Sequence, residues 1–149
     1  MLHVRIQFGP AFDLLAALRQ RIETPGELLS PAVPIVAGAV ERNFDEEGRP
    51  LPWLPLAPAT LRQKPAGLRI LQRSGRLRRS ISTRVEGSAI VASTDMPYAA
   101  AHQFGTPRRL LPARPFLVLT PEDNEAVATA AADALENTGH GSRTTGHGQ

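Results

Sequence analysis

The sequence of 149 residues contains no cysteine, which excludes disulfide bonds and cysteine-ligated metal sites. Aromatic residues are scarce, with one tryptophan, one tyrosine and five phenylalanines, so the basic part of the chain offers no platform for stacking bases. No apolar run approaches the roughly 20 residues that a membrane-spanning helix needs. The first ten residues lack the basic start and long apolar core of a signal peptide, so we expect synthesis in the cytoplasm.

Acidic residues are missing from the middle of the chain. Residues 48–85 carry eight arginines and Lys64 without a single acid, a balance of +9, whereas 1–47 and 86–149 each carry a balance of −3. This acidic–basic–acidic order favours head-to-tail self-association or an acidic partner. The alternative interpretation is a solvated basic face that binds nothing.

Catalytic and metal-binding arrangements are also missing. Ser93, Asp95 and His102 are the candidates for a nucleophile, an orienting group and a base, but no Gly-x-Ser-x-Gly motif marks a serine nucleophile. The four histidines form no H-x-H or H-x-x-x-H pair, and no glycine-rich loop has the spacing of a phosphate-binding loop. We therefore predict a protein that is not an enzyme and uses no cofactor, metal or small-molecule substrate.

The residue patterns predict an α+β domain over residues 1–137, with helices packed on a small, mainly antiparallel sheet and a disordered tail over 138–149. Gly87-Ser88 between two alternating segments favours a type II′ hairpin. Ser30 and Thr120 are predicted to cap the helices that follow them. The predicted strands are 2–8, 81–86, 89–93 and 115–120, and the predicted helices are 10–22, 31–45, 57–64, 97–104 and a last one from Pro121.

The segment 45–72 is predicted to be a long irregular loop because its prolines cannot continue a helix or a sheet ladder, with 57–64 as its one helical piece. Loops of this length are usually functional or disordered, so we hypothesise that this one is mobile in the free protein and orders on assembly. Trp53 lies within it. This side chain either closes the end of the core or anchors a contact with a partner.

Four motifs follow one another at characteristic spacing: "PWLPLAPATL" after Phe44 and Gly48, then "ILQRSGRLRRSI", then "YAAAHQFGT" and finally "PARPFL" ahead of an acid-capped helix. In this order they resemble the phage virion morphogenesis family, whose members include Mu-like G proteins and P2-like tail completion proteins. The resemblance covers residues 25–137. Its second half is also similar to tail-completion and head–tail neck proteins of other long-tailed phages.

The resemblance implies a structural protein of a tailed phage or prophage that completes the tail and enables head–tail joining, commonly as a ring of subunits. Its partners would be its own copies, the tail tube or its terminator, and the head-side connector, and its location would be the virion. The loop 105–113 lies between two fixed elements, and its prolines reduce the cost of ordering it on binding. The predicted subunit or partner interface comprises His102, Gln103, Phe104, Gly105, Arg108, Arg109, Arg114 and Phe116.

Each interface residue has an alternative role within the chain. Tyr98, Phe104 and Phe116 could pack in the core, and Arg114 could form an intrachain salt bridge. If the subunits form a ring, Arg76, Arg78 and Arg79 would face DNA in the lumen. The rival function is nonspecific nucleic-acid binding through the basic segment 49–84, which would contact the phosphate backbone.

Overall fold

The computed structural model describes residues 2–6 and 25–140, so the helix predicted at 10–22 lies outside the described residues. Helices and strands within these two ranges form the predicted α+β fold. None of the described helices combines the length and the apolar character needed to cross a bilayer. The strands are β1 Leu2–Ile6, β2 Ser82–Glu86 and β3 Ala89–Thr94, and the helices are α1 Pro25–Leu29, α2 Val33–Asp45, α3 Pro58–Gln63, α4 Arg76–Ser80, α5 Ala99–Phe104 and α6 Pro121–His140, with 3₁₀ turns at Ser30–Ala32 and Pro107–Arg109.

The three strands form one antiparallel sheet in the order β1-β3-β2. Because β3 is central, its residues are buried from Ile90 to Thr94, whereas β2 at the edge alternates between exposed and half-buried positions. The turn between β2 and β3 contains Gly87 with φ of 58°, a left-handed conformation that suits glycine. The predicted hairpin is therefore confirmed.

The core lies between this sheet and the helices. One face of α2 contributes an apolar row at helical spacing, as its sequence pattern predicts. Phe44 at the end of that row meets the rings of Trp53 and Phe116, each with centroids 5.7 Å away. The buried core residues are Leu29, Ala32, Val36, Val40, Phe44, Trp53, Leu77, Ile90, Ala92, Ala99, Phe116, Leu117 and Val127.

The two predicted helix caps have different outcomes. Thr120 caps α6 as expected: its hydroxyl accepts the Asp123 N–H at 3.3 Å, and the Asp123 carboxylate accepts the Thr120 N–H at 2.9 Å. The prediction for Ser30 is wrong. The chain is already helical from Pro25, so the Ser30 hydroxyl donates back to the Gly26 carbonyl at 3.3 Å instead of capping.

The last helix runs further than its apolar pattern predicts. Residues 138–140, assigned from the sequence to a disordered tail, continue α6 to His140. The rest of the predicted tail, 141–149, lies outside the described residues.

The strand predicted at 115–120 is wrong. Among the described residues no strand pairs with this segment, and side-chain amides bind its backbone instead. The Gln103 carboxamide oxygen accepts the N–H groups of Phe116 and Leu117, each at 3.0 Å. The Asn43 amide donates to the Phe116 carbonyl at 2.9 Å. These bonds pair the backbone N–H and C=O groups of a segment that is apolar, buried and outside any β-ladder.

The segment 45–72 begins at Asp45, the last residue of α2, contains α3 and is otherwise without helix or strand, as predicted. Side-chain contacts hold its first part to α6 and to Pro115, and a further contact joins its last part to its own beginning. The Arg49 guanidinium reaches Asp123 at 2.9 Å, and the Trp53 indole N–H donates to the Pro115 carbonyl at 2.9 Å. At the other end, the Ile70 N–H donates to the Glu47 carboxylate at 2.6 Å. The mobility of the segment in the free protein stays a prediction.

Gly48 is the position at which this segment leaves no room for a side chain. Its φ is 120°, and a Cβ there would lie 2.7 Å from the Leu51 carbonyl oxygen and against the Trp53 backbone. Gly48→Ala is therefore expected to lower the free energy of unfolding by about 2–3 kcal/mol, measured by urea denaturation. Gly38→Ala, in the middle of α2, is the matched control and should stabilise by roughly 0.5–1 kcal/mol. Equal effects at both positions would refute the steric argument.

Candidate docking surface

A groove of about 1110 Å³ runs between the segment 54–64 and the loop 105–112, with Leu71 and Leu77 also contributing to its lining. We call this feature the basic groove. Its lining residues are Leu54, Pro55, Leu56, Ala57, Thr60, Lys64, Leu71, Arg73, Ser74, Arg76, Leu77, Tyr98, His102, Arg109, Leu110, Leu111, Pro112 and Arg114.

The lining combines positive charge with exposed apolar side chains. Lys64, Arg73 and Arg109 contribute cations, and none of the described lining residues is acidic. At the rim, Leu54 is 60% exposed and Leu110 is 91% exposed. Both leucines are therefore available to an apolar surface of a partner.

The geometry of the loop presents Leu110 to solvent. Thr106 and Leu111 exchange two backbone hydrogen bonds, of 2.8 and 3.2 Å, which close the loop into a small hairpin. Gly105 has φ of 75° and approaches the backbone so closely that a Cβ would lie 2.7 Å from the Ala113 nitrogen. Leu110 itself has φ of 50°, which an L-residue adopts only where its surroundings fix the backbone. The backbone of the loop is therefore held in one conformation that exposes Leu110.

His102 lies in the wall of the basic groove, with its ring edge-on to Tyr98 at 5.8 Å between centroids. Its Nδ1 is buried and has no hydrogen-bond partner within the described chain. Burial lowers the pKa of this imidazole, and the positive charges of Arg114 and Lys64 lower it further. Ser93 and Asp95 line a different concavity, so the three residues considered for nucleophilic catalysis do not lie in one pocket.

The described part of the chain also brings no three histidine, cysteine or acidic side chains close enough to hold a metal ion.

The lowered pKa of His102 gives a pH dependence with a definite sign. Below the ordinary value of about 6.5 the unfolded chain binds a proton that the folded chain resists, so stability falls as the pH drops through 6.5 and levels off below the folded pKa. We expect the wild type to lose more stability between pH 7.5 and 5 than His102→Gln, measured by urea unfolding. A variant that follows the wild-type curve would show that His102 is not the titrating group.

The predicted interface residues divide into exposed and buried sets. Phe104 is 66% exposed, Arg108 and Arg109 are exposed, and all three are free to meet a partner. Gln103 and Phe116 are buried within the chain and have the internal roles described above. Partner contact stays a prediction for the whole set, because no partner chain is present.

Arg114 does not form the intrachain salt bridge considered from the sequence with any described carboxylate, and its contact with a partner stays a prediction. Its side chain is buried and donates to the carbonyl oxygens of Leu54 and Pro55, at 3.0 and 3.1 Å, rather than to a carboxylate. Burial lowers the pKa of this guanidinium. Arg114 therefore ties the two walls of the basic groove together, since it joins the loop after α5 to the segment before α3.

The three arginines assigned to a DNA-facing role are separated by the structure. Arg76 and Arg79 line a second concavity of about 830 Å³ together with Arg84 and the hydroxyls of Ser80, Ser82, Ser93 and Thr94. Arg78 points elsewhere: its guanidinium donates to Glu41 at 2.7 Å and lies 2.9 Å from Asp45. The hydrogen bond to Glu41 raises the pKa of Arg78, although desolvation opposes it. The charge of Arg78 is thus neutralised within the chain.

The segment 45–72, which the sequence indicates as a contact that orders on assembly, supplies Leu54 and Lys64 to the groove, but sequence reasoning missed Arg73. The alternation of leucine and proline in "LPWLPLA" was a further signal, since Trp53 is buried there and the flanking leucines are left exposed. Nothing in the spacing of Arg73 indicates that it lies across a groove from residues 109–112.

Comparisons with known proteins agree with the motifs. The profile of the phage virion morphogenesis family matches residues 13–136. The Mu-like prophage FluMu G protein 2 of Haemophilus influenzae is 32% identical over 143 residues, an alignment that covers 90% of this chain and 92% of that protein. No solved structure matches this chain.

Proposed function

The chain belongs to the phage virion morphogenesis family, and from that premise we propose that it completes the tail of a tailed phage or prophage and enables head–tail joining. It acts as a structural component of the virion, without catalysis, after synthesis in the cytoplasm of the bacterial host. Its partners are further copies of itself in a ring, the tail tube or its terminator, and the head-side connector.

The observation that carries this proposal is the basic groove with its exposed leucines. An assembly protein must present a surface that stays available in the free subunit and becomes covered in the particle. Leu54 and Leu110 supply apolar area at the two walls, and the cations between them select an acidic counterpart. The rigid hairpin at 105–111 presents its side of this surface at little ordering cost.

The test is electron microscopy of lysates from the parent phage lacking this protein. We expect filled heads and separate tails, and joined particles when the wild-type chain is supplied in trans. Supplying Leu54→Ser with Leu110→Ser should fail to restore joining. Leu51→Ser with Leu61→Ser is the matched control, because these leucines are 78% and 56% exposed but lie outside the groove. Joined particles in the complete absence of the protein would contradict the proposal.

Nonspecific binding to nucleic acid is the second candidate function, and one observation favours it. Arg76 and Arg79 share a concavity with four hydroxyl side chains and one acid, Asp95, and neither arginine is paired with a carboxylate among the described residues. Arginines beside hydroxyl donors are suited to phosphodiester groups. Against it, Arg49, Arg78 and Arg84 in the same basic segment are neutralised by intrachain carboxylates.

The salt dependence of DNA affinity separates this function from unspecific attraction to a basic protein. Arg76→Gln with Arg79→Gln should reduce the slope of log K against log salt concentration by about 2, since each phosphate contact contributes roughly 0.9. Arg62→Gln with Arg108→Gln, two exposed arginines outside the concavity, is the charge-matched control and should leave the slope closer to that of the wild type. Equal salt-dependence slopes for the two double variants would show that Arg76 and Arg79 have no specific role in contacting DNA.

A further inference from the structure

The outward face of α6 carries an acidic stripe. Val127 and Ala131 are buried and pack the helix onto the rest of the fold, where α6 contacts α1, α2 and the 3₁₀ turn between them. The opposite face is exposed and has no large apolar side chain. Because its residues recur every three or four positions, they form one continuous strip along the helix: Glu122, Glu125, Ala126, Thr129, Ala132 and Asp133.

This stripe and the basic groove are complementary in charge. The groove has cations and no acid in its lining, whereas the stripe has acids and no cation. The alanines and the threonine between the acids let a helix backbone approach a surface closely. The leucines at the groove walls can then cover the apolar part of the strip. Charge pairing of this kind fixes register and partner choice, while the apolar contact contributes affinity.

The two surfaces cannot meet within one copy in this fold. No residue of α6 lines the groove, and α6 is held against its own helices by its buried side. We therefore propose that the basic groove of one copy receives the acidic stripe of α6 from a second copy. This inference rests on the proposed function and identifies the partner that occupies the groove.

The resulting contact is heterologous, because two different surfaces of the chain meet. Each bound copy still offers a free groove at one end and a free stripe at the other. Repetition of such a contact produces a closed ring where the rotation between copies closes, and a filament where it does not. The uneven charge along the sequence thus corresponds to two separate faces of the folded chain.

Reciprocal charge reversal tests the contact on the purified full-length chain. Sedimentation velocity at low salt should show self-association of the wild type. Reversing the charge of the groove should weaken this self-association at least 10-fold, and so should reversing the charge of the stripe. The groove reversal is Arg73→Glu with Arg109→Glu, and the stripe reversal is Glu125→Arg with Asp133→Arg. A one-to-one mixture of the two reversed variants should associate again, because each groove then meets a stripe of opposite charge. Arg62→Glu with Arg108→Glu has the same net charge as the groove reversal and should associate like the wild type.

Covalent trapping supplies a second measurement. Since the chain has no native cysteine, Leu110→Cys and Ala132→Cys in different copies should form a disulfide between copies under mild oxidation. Ser82→Cys on β2 combined with Ala132→Cys is the control and should not. Thermal unfolding of each variant establishes that the reversed chains are folded.

Each outcome decides between the claims. A wild type that stays monomeric, reversals without effect on association, or a mixture that stays dissociated would overturn the second copy as the occupant. Those results would not change the outcome of the particle-joining test. If that test still supported the proposed function, the occupant of the groove would be another virion protein. Conversely, restored association together with joined particles in the absence of the protein would preserve this contact and refute the proposed function.

Discussion

Gln103→Leu is expected to lower the free energy of unfolding by about 4–6 kcal/mol, the largest effect of any single substitution considered for this chain. The Gln103 carboxamide accepts the N–H groups of Phe116 and Leu117 at 3.0 Å and donates to the Leu117 carbonyl at 3.3 Å. Leucine has a similar size but forms none of these bonds. Three buried backbone groups would lose their partner, and each orphaned group costs roughly 1–3 kcal/mol.

Urea unfolding monitored by circular dichroism measures this effect. Gln63→Leu, on the exposed surface of α3, is the matched control and should change stability by less than about 0.5 kcal/mol. Because Phe116 packs on Phe44, loosening the segment at 116–117 should also reduce the cooperativity of unfolding. A loss below about 1 kcal/mol for Gln103→Leu would mean that the segment finds other partners, and the argument from its missing β-ladder would fail.

Asp123→Asn is expected to destabilise the chain by about 3–5 kcal/mol, because it removes the nearer and buried carboxylate of Arg49 and leaves only the exposed Glu46 at 3.9 Å. The Asp123 carboxylate receives Arg49 at 2.9 Å and Arg42 at 2.7 Å while it also caps α6. The side chain of Arg49 is only 11% exposed, so water cannot replace the lost charge. Asparagine retains an oxygen for the Thr120 N–H, which confines the change largely to the ion pairs.

The pH dependence identifies the charge as the cause. Desolvation raises the pKa of Asp123, but the hydrogen bonds from the Thr120 backbone, Arg42, Arg49 and the Thr120 hydroxyl outweigh it, so the folded pKa lies below the ordinary value. The contribution to stability is therefore complete above the unfolded pKa of about 4 and is lost as the pH falls through the folded value. The difference in the free energy of unfolding between the wild type and Asp123→Asn should become smaller at acidic pH. A difference that stays constant from pH 7 to pH 2 would point to packing rather than charge.

Much of this fold follows from local patterns. The alternation in 81–86, the Gly87-Ser88 turn and the helical spacing in 33–45 each predict an element that forms, since neighbouring residues alone determine those preferences. The segment 115–120 has the same kind of apolar pattern but forms no strand. Its partners are the amides of Gln103 and Asn43, which are 13 and 73 residues away from Phe116 along the chain. No local pattern can encode that pairing.

The same distinction applies to the candidate site. The loop 105–113 could be recognised from the sequence because glycine and prolines punctuate it within a few residues. The groove could not, since it needs Leu54 and Arg73 to lie opposite Leu110 in the folded chain. Arg114 illustrates the difference, because its sequence context indicates a surface charge, whereas the fold buries it against two carbonyl groups.

Quantitative mass spectrometry of phage particles purified by density gradient from an induced host culture tests the central claim most directly. A structural protein at the junction of tail and head should be present at a small, fixed copy number per particle, below that of the repeating tail-tube protein. Particles that are complete and infectious but contain none of this chain would contradict a structural role in the finished virion.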